Sequence, residues 1–324
     1  MSEQIQKVAV IGCGVIGAGW ASLFLARGLD VTIYDPAEGA ENSFKHYLQD
    51  AWPSLQASMP IGDLPVTKYT FVKDLATSLR DVDFVQENGP ERADFKVELM
   101  KTLDQHTRPG VVIASSSSGL PASGFIERCQ QDPGRILVGH PFNPAHLVPL
   151  VEVVPHPATD SSAIATAMGF YRSLGKRPVL LHQEIPGFVA NRLQAAINNE
   201  AYSLISRGVI SAEDLDTAVT SGPGLRWALT GPIVTNALGG GGGSGGFAQR
   251  IERLGPSIQA WEENISKHRF AWSFEAVEKL NQEARKWLET VDWQNINATR
   301  DQMLLKVLAA KSSPSSRGEK IERL

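Results

Sequence analysis

His140 and Glu152 are the pair best suited to moving a proton. His140 closely follows the apolar run Ile136-Leu137-Val138, and Glu152 interrupts the apolar stretch Leu147-Val148-Pro149-Leu150-Val151-Glu152-Val153-Val154. A carboxylate inside such a run is costly to bury unless a partner holds it, and His140 is the partner at hand. If Glu152 accepts the Nδ1 proton, the other ring nitrogen is left as an acceptor that can take a proton from a substrate hydroxyl. Each residue alone has a plainer reading: a hydrogen-bonded core histidine, and an outward-facing acid on a half-exposed strand. Ser115-Ser116-Ser117-Ser118-Gly119 follows the run ending at Ala114 and gathers hydroxyls that can donate to a substrate oxygen, although a serine-rich turn needs no functional reason. Asn191 falls in the first turns of a long helical pattern, from which its amide can enter the same crevice.

A second constellation reads as a dinucleotide site. Gly12-Cys13-Gly14-Val15-Ile16-Gly17 follows Val8-Ala9-Val10-Ile11 and precedes a helix-like stretch, while Asp35 closes the run Val31-Thr32-Ile33-Tyr34. Gly12 permits a tight turn, Gly14 lets backbone approach a pyrophosphate, and Gly17 allows close packing of helix on strand. The N–H groups at the helix start, those of Val15, Ile16 and Gly17, then hold the anion with the helix dipole behind them. Asp35 meets the adenosine-ribose hydroxyls and repels a 2′-phosphate. Pro36 and Ala37 follow it with no Arg nearby, so the expected cofactor is NAD rather than NADP.

These residues need a scaffold. Apolar runs at Val8–Ile11, Val31–Tyr34, Phe84-Val85, Val111–Ala114, Ile136–Val138, Leu150–Val154 and Val179–Leu181 alternate in several places with helix-like stretches. That pattern predicts an α/β fold, a Rossmann-type, mostly parallel sheet with helices on both faces. From Glu184-Ile185-Pro186-Gly187 the character changes. Val189, Leu193, Ile197, Ala201, Leu204 and Ile205 recur every three or four residues, Ser211-Ala212-Glu213-Asp214 resembles a capped helix start, and Phe274 to Leu288 is again helical in pattern. The expected domains are an NAD-binding domain over 1–184 and an all-helical domain over 185–324, to which the resemblance given below assigns substrate binding and dimerisation. Gly239 to Gly246 is glycine except at Ser244 and reads as a loop, either a connector between helices or a cover over the site. The polar tail Lys311 to Gly318 is expected to fray.

Composition narrows the partners. The chain has 324 residues, 42% of them hydrophobic, enough for two domains. A net charge of -4, with no block of Lys and Arg, offers nothing to nucleic acid or to a membrane surface. The start lacks a signal-like pattern and no run is long enough to span a bilayer, so the expected place is the cytoplasm. Two cysteines and seven histidines show neither a disulfide framework nor metal-ligand spacing, so no metal is expected. The expected partner is a small molecule.

The order of these motifs resembles the L-3-hydroxyacyl-CoA dehydrogenase superfamily, most closely the branch containing lambda-crystallin, L-gulonate 3-dehydrogenase and carnitine dehydrogenase. The resemblance spans roughly residues 6 to 235. It is carried by the glycine turn with Asp35, Gln86-Glu87-Asn88-Gly89-Pro90-Glu91, Ser115 to Ser118, Gly139-His140-Pro141-Phe142-Asn143-Pro144, and Pro186-Gly187-Phe188-Val189-Ala190-Asn191-Arg192-Leu193. It implies that His140 is the catalytic base, that Glu152 orients it, that Ser118 and Asn191 hydrogen-bond the reacting oxygen, that Glu91 and Lys96 lie near the nicotinamide, and that the protein is a homodimer.

Two departures bear on substrate. Acyl-CoA enzymes carry a basic helical hairpin after the second strand, whereas Lys45 and Lys68 are the only Lys or Arg between Glu41 and Lys68 here. Where those enzymes have a Tyr-Pro-Met-Gly-Pro-Phe segment, this chain has Gly224-Leu225-Arg226-Trp227-Ala228-Leu229-Thr230-Gly231-Pro232, so a guanidinium stands where an acyl chain would pass. The expected reaction is NAD-dependent oxidation of a small free 3-hydroxy acid, L-gulonate first among them, with Arg226 on the substrate carboxylate. An acyl-CoA or carnitine dehydrogenase and a non-catalytic NAD(H) binder are the alternatives.

Overall fold

The apolar runs pair side by side as strands. In the computed structural model, which describes residues 5–64, 68–293 and 295–312, these are β1 (Lys7–Ile11), β2 (Asp30–Tyr34), β3 (Tyr69–Val72), β4 (Phe84–Glu87), β5 (Val112–Ser115), β6 (Ile136–Pro141), β7 (Leu150–Pro155) and β8 (Arg177–Leu180). They form one sheet in the order β3-β2-β1-β4-β5-β6-β7-β8, parallel throughout except between β6 and β7. The α/β expectation holds. β3 has no counterpart among the sequence-read runs, because at the sheet edge its residues are only half-buried or exposed and the apolar pattern is weak.

Helices α1 (Val15–Ala26), α2 (Ala40–Ser58), α3 (Leu75–Ser78), α4 (Ala93–His106) and α5 (Ser161–Ser173) complete this part of the chain. One core joins Trp20 and Phe24 of α1, Phe44 and Leu48 of α2, and Phe170 and Tyr171 of α5 to the sheet; the other joins Met100 and Leu103 of α4 to Val85, Ile113 and Phe125. Both faces are covered, which is why the central strands read as continuous apolar runs. Fully buried residues such as Phe24, Phe44 and Phe84 each contribute roughly 1.5–3 kcal/mol. β1 lies between β2 and β4, so the chain departs to one side of β1 and returns on the other, opening a crevice at the carboxyl ends of the strands.

The chain divides into two compact units, the first ending at Arg192 and the second beginning at Leu193, within α6 (Ala190–Ser206). The second unit continues with α7 (Ala212–Ser221), α8 (Pro223–Gly239), α9 (Gly246–Lys267), α10 (Phe274–Leu288) and α11 (Ile296–Ser312), and has no strand among the described residues. Ser211 caps α7, its Oγ accepting from the Asp214 N–H at 3.0 Å. The glycine run is the connector between α8 and α9: Gly241, Gly242 and Gly243 have φ of 104°, 80° and 70°, and a Cβ on Gly240 would stand 1.9 Å from the Gly246 carbonyl oxygen. Only glycine fits that turn. Of the tail, Lys311 lies in α11 and residues 313–324 are outside the described residues. No helix among the described residues is long and apolar enough to cross a membrane.

Candidate active site

The antiparallel register of β6 and β7 sets His140 directly opposite Glu152, and residues so paired project from the same face of the sheet. His140 Nδ1 lies 2.9 Å from Glu152 Oε2, with the two residues 5% and 1% exposed. The other oxygen, Oε1, accepts from the N–H groups of Val189 and Ala190, both at 2.9 Å. Burial pushes the Glu152 carboxyl up, but the hydrogen bonds from His140 and from the Ala190 and Val189 N–H groups outweigh it and hold the group below its ordinary value. An ionised carboxylate only accepts, so Nδ1 carries a hydrogen, and the tautomer this contact favours is the one whose Nε2 keeps its lone pair. The rings of Phe142 and Phe188 flank the imidazole at 4.7 and 5.6 Å. Phe188 is fully buried in a left-handed conformation, φ 50°, after Gly187 at φ 74°. Below the β6–β7 connection, the buried Lys176 ammonium donates to the carbonyls of Ala145 and Val148 and lies 5.1 Å from the centroid of the Trp20 ring.

Ser118 and Asn191 are brought together at the same edge: Asn191 Nδ2 donates to the Ser118 carbonyl at 2.7 Å. Glu91 meets them too. Its Oε1 accepts from Ser117 Oγ at 2.8 Å and from the N–H groups of Ser118, Gly119 and Leu120 at 2.9, 3.0 and 3.3 Å. Lys96 is fully buried, with Nζ donating to both oxygens of Glu87 at 3.0 and 2.9 Å and to the Gly89 carbonyl at 3.3 Å. Glu87 was not singled out as a site residue from sequence. The signal was present, since Gln86-Glu87 ends an apolar strand as Glu152 interrupts one, and Ser115 Oγ donates to Glu87 Oε2 at 2.5 Å.

The glycine turn fits a dinucleotide. Gly12 has φ 87° and a Cβ there would meet the Asn88 carbonyl oxygen at 2.8 Å; one on Gly17 would stand 1.9 Å from the Gly12 carbonyl oxygen. A Cβ on Gly14 would meet nothing within 4 Å, so backbone is open to a ligand there. The first helical bond of α1 runs from the Ala18 N–H to the Gly14 carbonyl, so the N–H groups of Val15, Ile16 and Gly17 precede the ladder, and the first turn has no acidic residue to use them. Asp35 Oδ2 accepts from the Cys13 N–H at 2.7 Å and Oδ1 from the Ala37 N–H at 2.9 Å, leaving lone pairs on both oxygens for a ribose diol. Asp35→Ala should therefore weaken NADH binding by roughly 10- to 100-fold, the scale of hydrogen bonds to a charged group, and narrow the preference over NADPH. Fluorescence titration with both nucleotides checks this, and a wild type that favours NADPH overturns it.

Arg226 lies in α8, in the second unit, and is exposed. Among the described residues, no acid forms an ion pair with its guanidinium.

Known proteins place this arrangement. Residues 7–185 match the family model described as 3-hydroxyacyl-CoA dehydrogenase, NAD binding domain, and residues 187–252 match 3-hydroxyacyl-CoA dehydrogenase, C-terminal domain. The chain is 61% identical, over 98% of each chain, to a protein of Gibberella moniliformis named 3-hydroxyacyl-CoA dehydrogenase. It is 44% identical, over 80% of each, to the L-carnitine dehydrogenase of Streptomyces coelicolor. Among solved structures, an NAD+-dependent 5-formyl-3-hydroxy-2-methylpyridine 4-carboxylic acid 5-dehydrogenase superposes with a TM-score of 0.75 at 27% identity, covering 95% of this chain and 98% of that one. The matches over both parts of the chain show that it belongs to the 3-hydroxyacyl-CoA dehydrogenase family, NAD-dependent oxidoreductases acting on a CH–OH group.

Proposed function

We propose that this enzyme oxidises the 3-hydroxyl of a small free 3-hydroxy acid to the 3-oxo acid, and the observation that carries the reading is the His140–Glu152 pair at 2.9 Å. His140 Nε2 takes the hydroxyl proton, and Glu152 stabilises the imidazolium that results. Ser118 and Asn191 hydrogen-bond the substrate oxygen as it becomes a carbonyl. Bound NAD supplies the acceptor for the hydride that leaves C3. Gly12, Gly14, Val15, Ile16, Gly17 and Asp35 hold that cofactor.

A free acid is favoured over a thioester by charge. Lys45 is the only Lys or Arg of α2, and Glu41 already pairs with it at 2.9 Å, so the helix offers no uncommitted Lys or Arg to a CoA phosphate. Arg226 supplies a planar fork that matches a carboxylate, which a free acid has and a thioester lacks. The relative named 3-hydroxyacyl-CoA dehydrogenase supports the thioester as a second reading. Steady-state absorbance of the reduced nicotinamide with L-gulonate, L-carnitine, 3-hydroxybutyrate and 3-hydroxybutyryl-CoA separates the two. The expected result is turnover of at least one free acid, with Arg226→Lys raising its KM and Arg226→Met raising it by roughly 10- to 100-fold, the value of a charged hydrogen-bonded pair. Faster turnover of the thioester than of any free acid, or an Arg226→Met enzyme with unchanged kcat/KM, overturns the reading; silence across the panel favours a non-catalytic NAD(H) binder.

The helical unit leaves large apolar side chains exposed, including Leu225, Ile233, Leu238 and Trp261, which supports a homodimer through this unit.

A further inference from the structure

The turn that carries Ser118 is gripped from two sides. Its N–H groups, from Ser118 to Leu120, converge on one oxygen of Glu91, a backbone nest of the kind that binds anions. Its carbonyls are taken by the first turn of α6 and the residues before it: Asn191 Nδ2 donates to the Ser118 carbonyl, and the Gly187 N–H donates to the Gly119 carbonyl at 3.1 Å. Behind Glu91 stands a fully buried charge pair. Lys96 Nζ lies between Glu87, at 2.9 Å, and Glu91 Oε2, at 4.0 Å, so one cation faces both acids. Glu87 in turn accepts from Ser115 Oγ, at the end of β5, and from the Gly89 N–H at 2.6 Å, which ties together the ends of β4 and β5 and the start of the serine turn.

We propose that Glu91 is a positioning residue: its carboxylate, backed by the Lys96–Glu87 pair, holds the Ser117–Leu120 turn in place and thereby sets Ser118 and, through the Ser118 carbonyl, the Asn191 amide against the reacting oxygen. This rests on the reading that Ser118 and Asn191 hold that oxygen. The alternative duty for Glu91, direct binding of the nicotinamide half of the cofactor, makes an opposite prediction. Removing a group that binds the cofactor raises the dissociation constant of NADH. Displacing the turn lowers kcat at saturating cofactor, because an error of about 1 Å in a positioned group costs as much as 100-fold in rate.

The test uses the full-length enzyme with its best substrate from the panel and the variants Glu91→Gln, Glu91→Ala and Ser118→Ala. Glu91→Gln keeps the shape but weakens the grip. It is expected to lower kcat by roughly 10- to 100-fold while the NADH dissociation constant, read by fluorescence titration, stays within about twofold of wild type. Glu91→Ala empties the nest, and added formate, a carboxylate small enough to refill it, is expected to restore part of the lost kcat where formamide at the same concentration does not. Unchanged kcat in Glu91→Gln, or a weakened NADH affinity with kcat at saturation intact, overturns the proposal. So does an absence of formate rescue. If Ser118→Ala loses activity while Glu91→Gln does not, the assignment of Ser118 stands and this proposal alone fails. If Ser118→Ala is fully active, both fail.

Discussion

Replacing His140 by alanine or glutamine should lower kcat by roughly 10²–10⁴, the usual scale for a positioned acid–base group, with NADH affinity nearly unchanged. The size follows from the geometry. Glu152 accepts at Nδ1, so only Nε2 has a lone pair to offer a hydroxyl, and neither substitute has a basic nitrogen to put in its place. The indifference of NADH affinity follows from the sheet order, in which β4 and β5 separate the glycine turn after β1 from His140 on β6. Single-turnover oxidation with a substrate deuterated at C3 shows whether the chemical step is being measured. A His140→Ala enzyme with near-normal single-turnover rate would remove this residue from the mechanism.

Glu152→Gln should harm both rate and stability, because the wild-type carboxylate serves two partners. A glutamine can still accept from Val189 and Ala190 through its carbonyl, but its amide then presents hydrogens to Nδ1. The imidazole is pushed to the other tautomer, its hydrogen moves to Nε2, and the base is lost; a fall in kcat of roughly 10²-fold or more is expected. Glu152→Ala also removes the acceptor of the Val189 and Ala190 N–H groups, and with it the tie between β7 and the start of α6. The acid limb of stability carries a further signature. The folded-state pKa lies below the unfolded one, so the stabilisation is fully present above the unfolded carboxyl value, about 4.3, and is lost as pH falls through the lower folded value. The difference in unfolding free energy between wild type and Glu152→Gln should therefore shrink as pH falls below about 4.3, measured by denaturant titration. A constant difference across that range would exclude a depressed carboxyl at this position.

What the sequence determined by itself was what short-range rules govern. Alternating apolar runs specify a covered parallel sheet because strand burial on both faces is written residue by residue, and the glycine turn is legible because Gly12 must adopt a positive φ and Gly17 must admit a carbonyl. His140 and Glu152 were legible as a pair because a lone acid in an apolar run demands a partner, while the antiparallel pairing of β6 and β7 that sets them opposite is seen only in the structure. Tertiary structure decided the rest. Nothing in the local pattern says that Lys96 turns inward to Glu87, that Glu91 reaches the N–H groups of a turn 27 to 29 residues away, or that Asn191 crosses to the Ser118 carbonyl, 73 residues distant. These partnerships depend on which strand ends lie side by side at the sheet edge. Likewise only the fold shows that Glu152 on β7 also accepts from the N–H groups of Val189, just before α6, and of Ala190, its first residue. A buried charge chooses its partner by proximity in space, and strand order, not sequence spacing, sets that proximity.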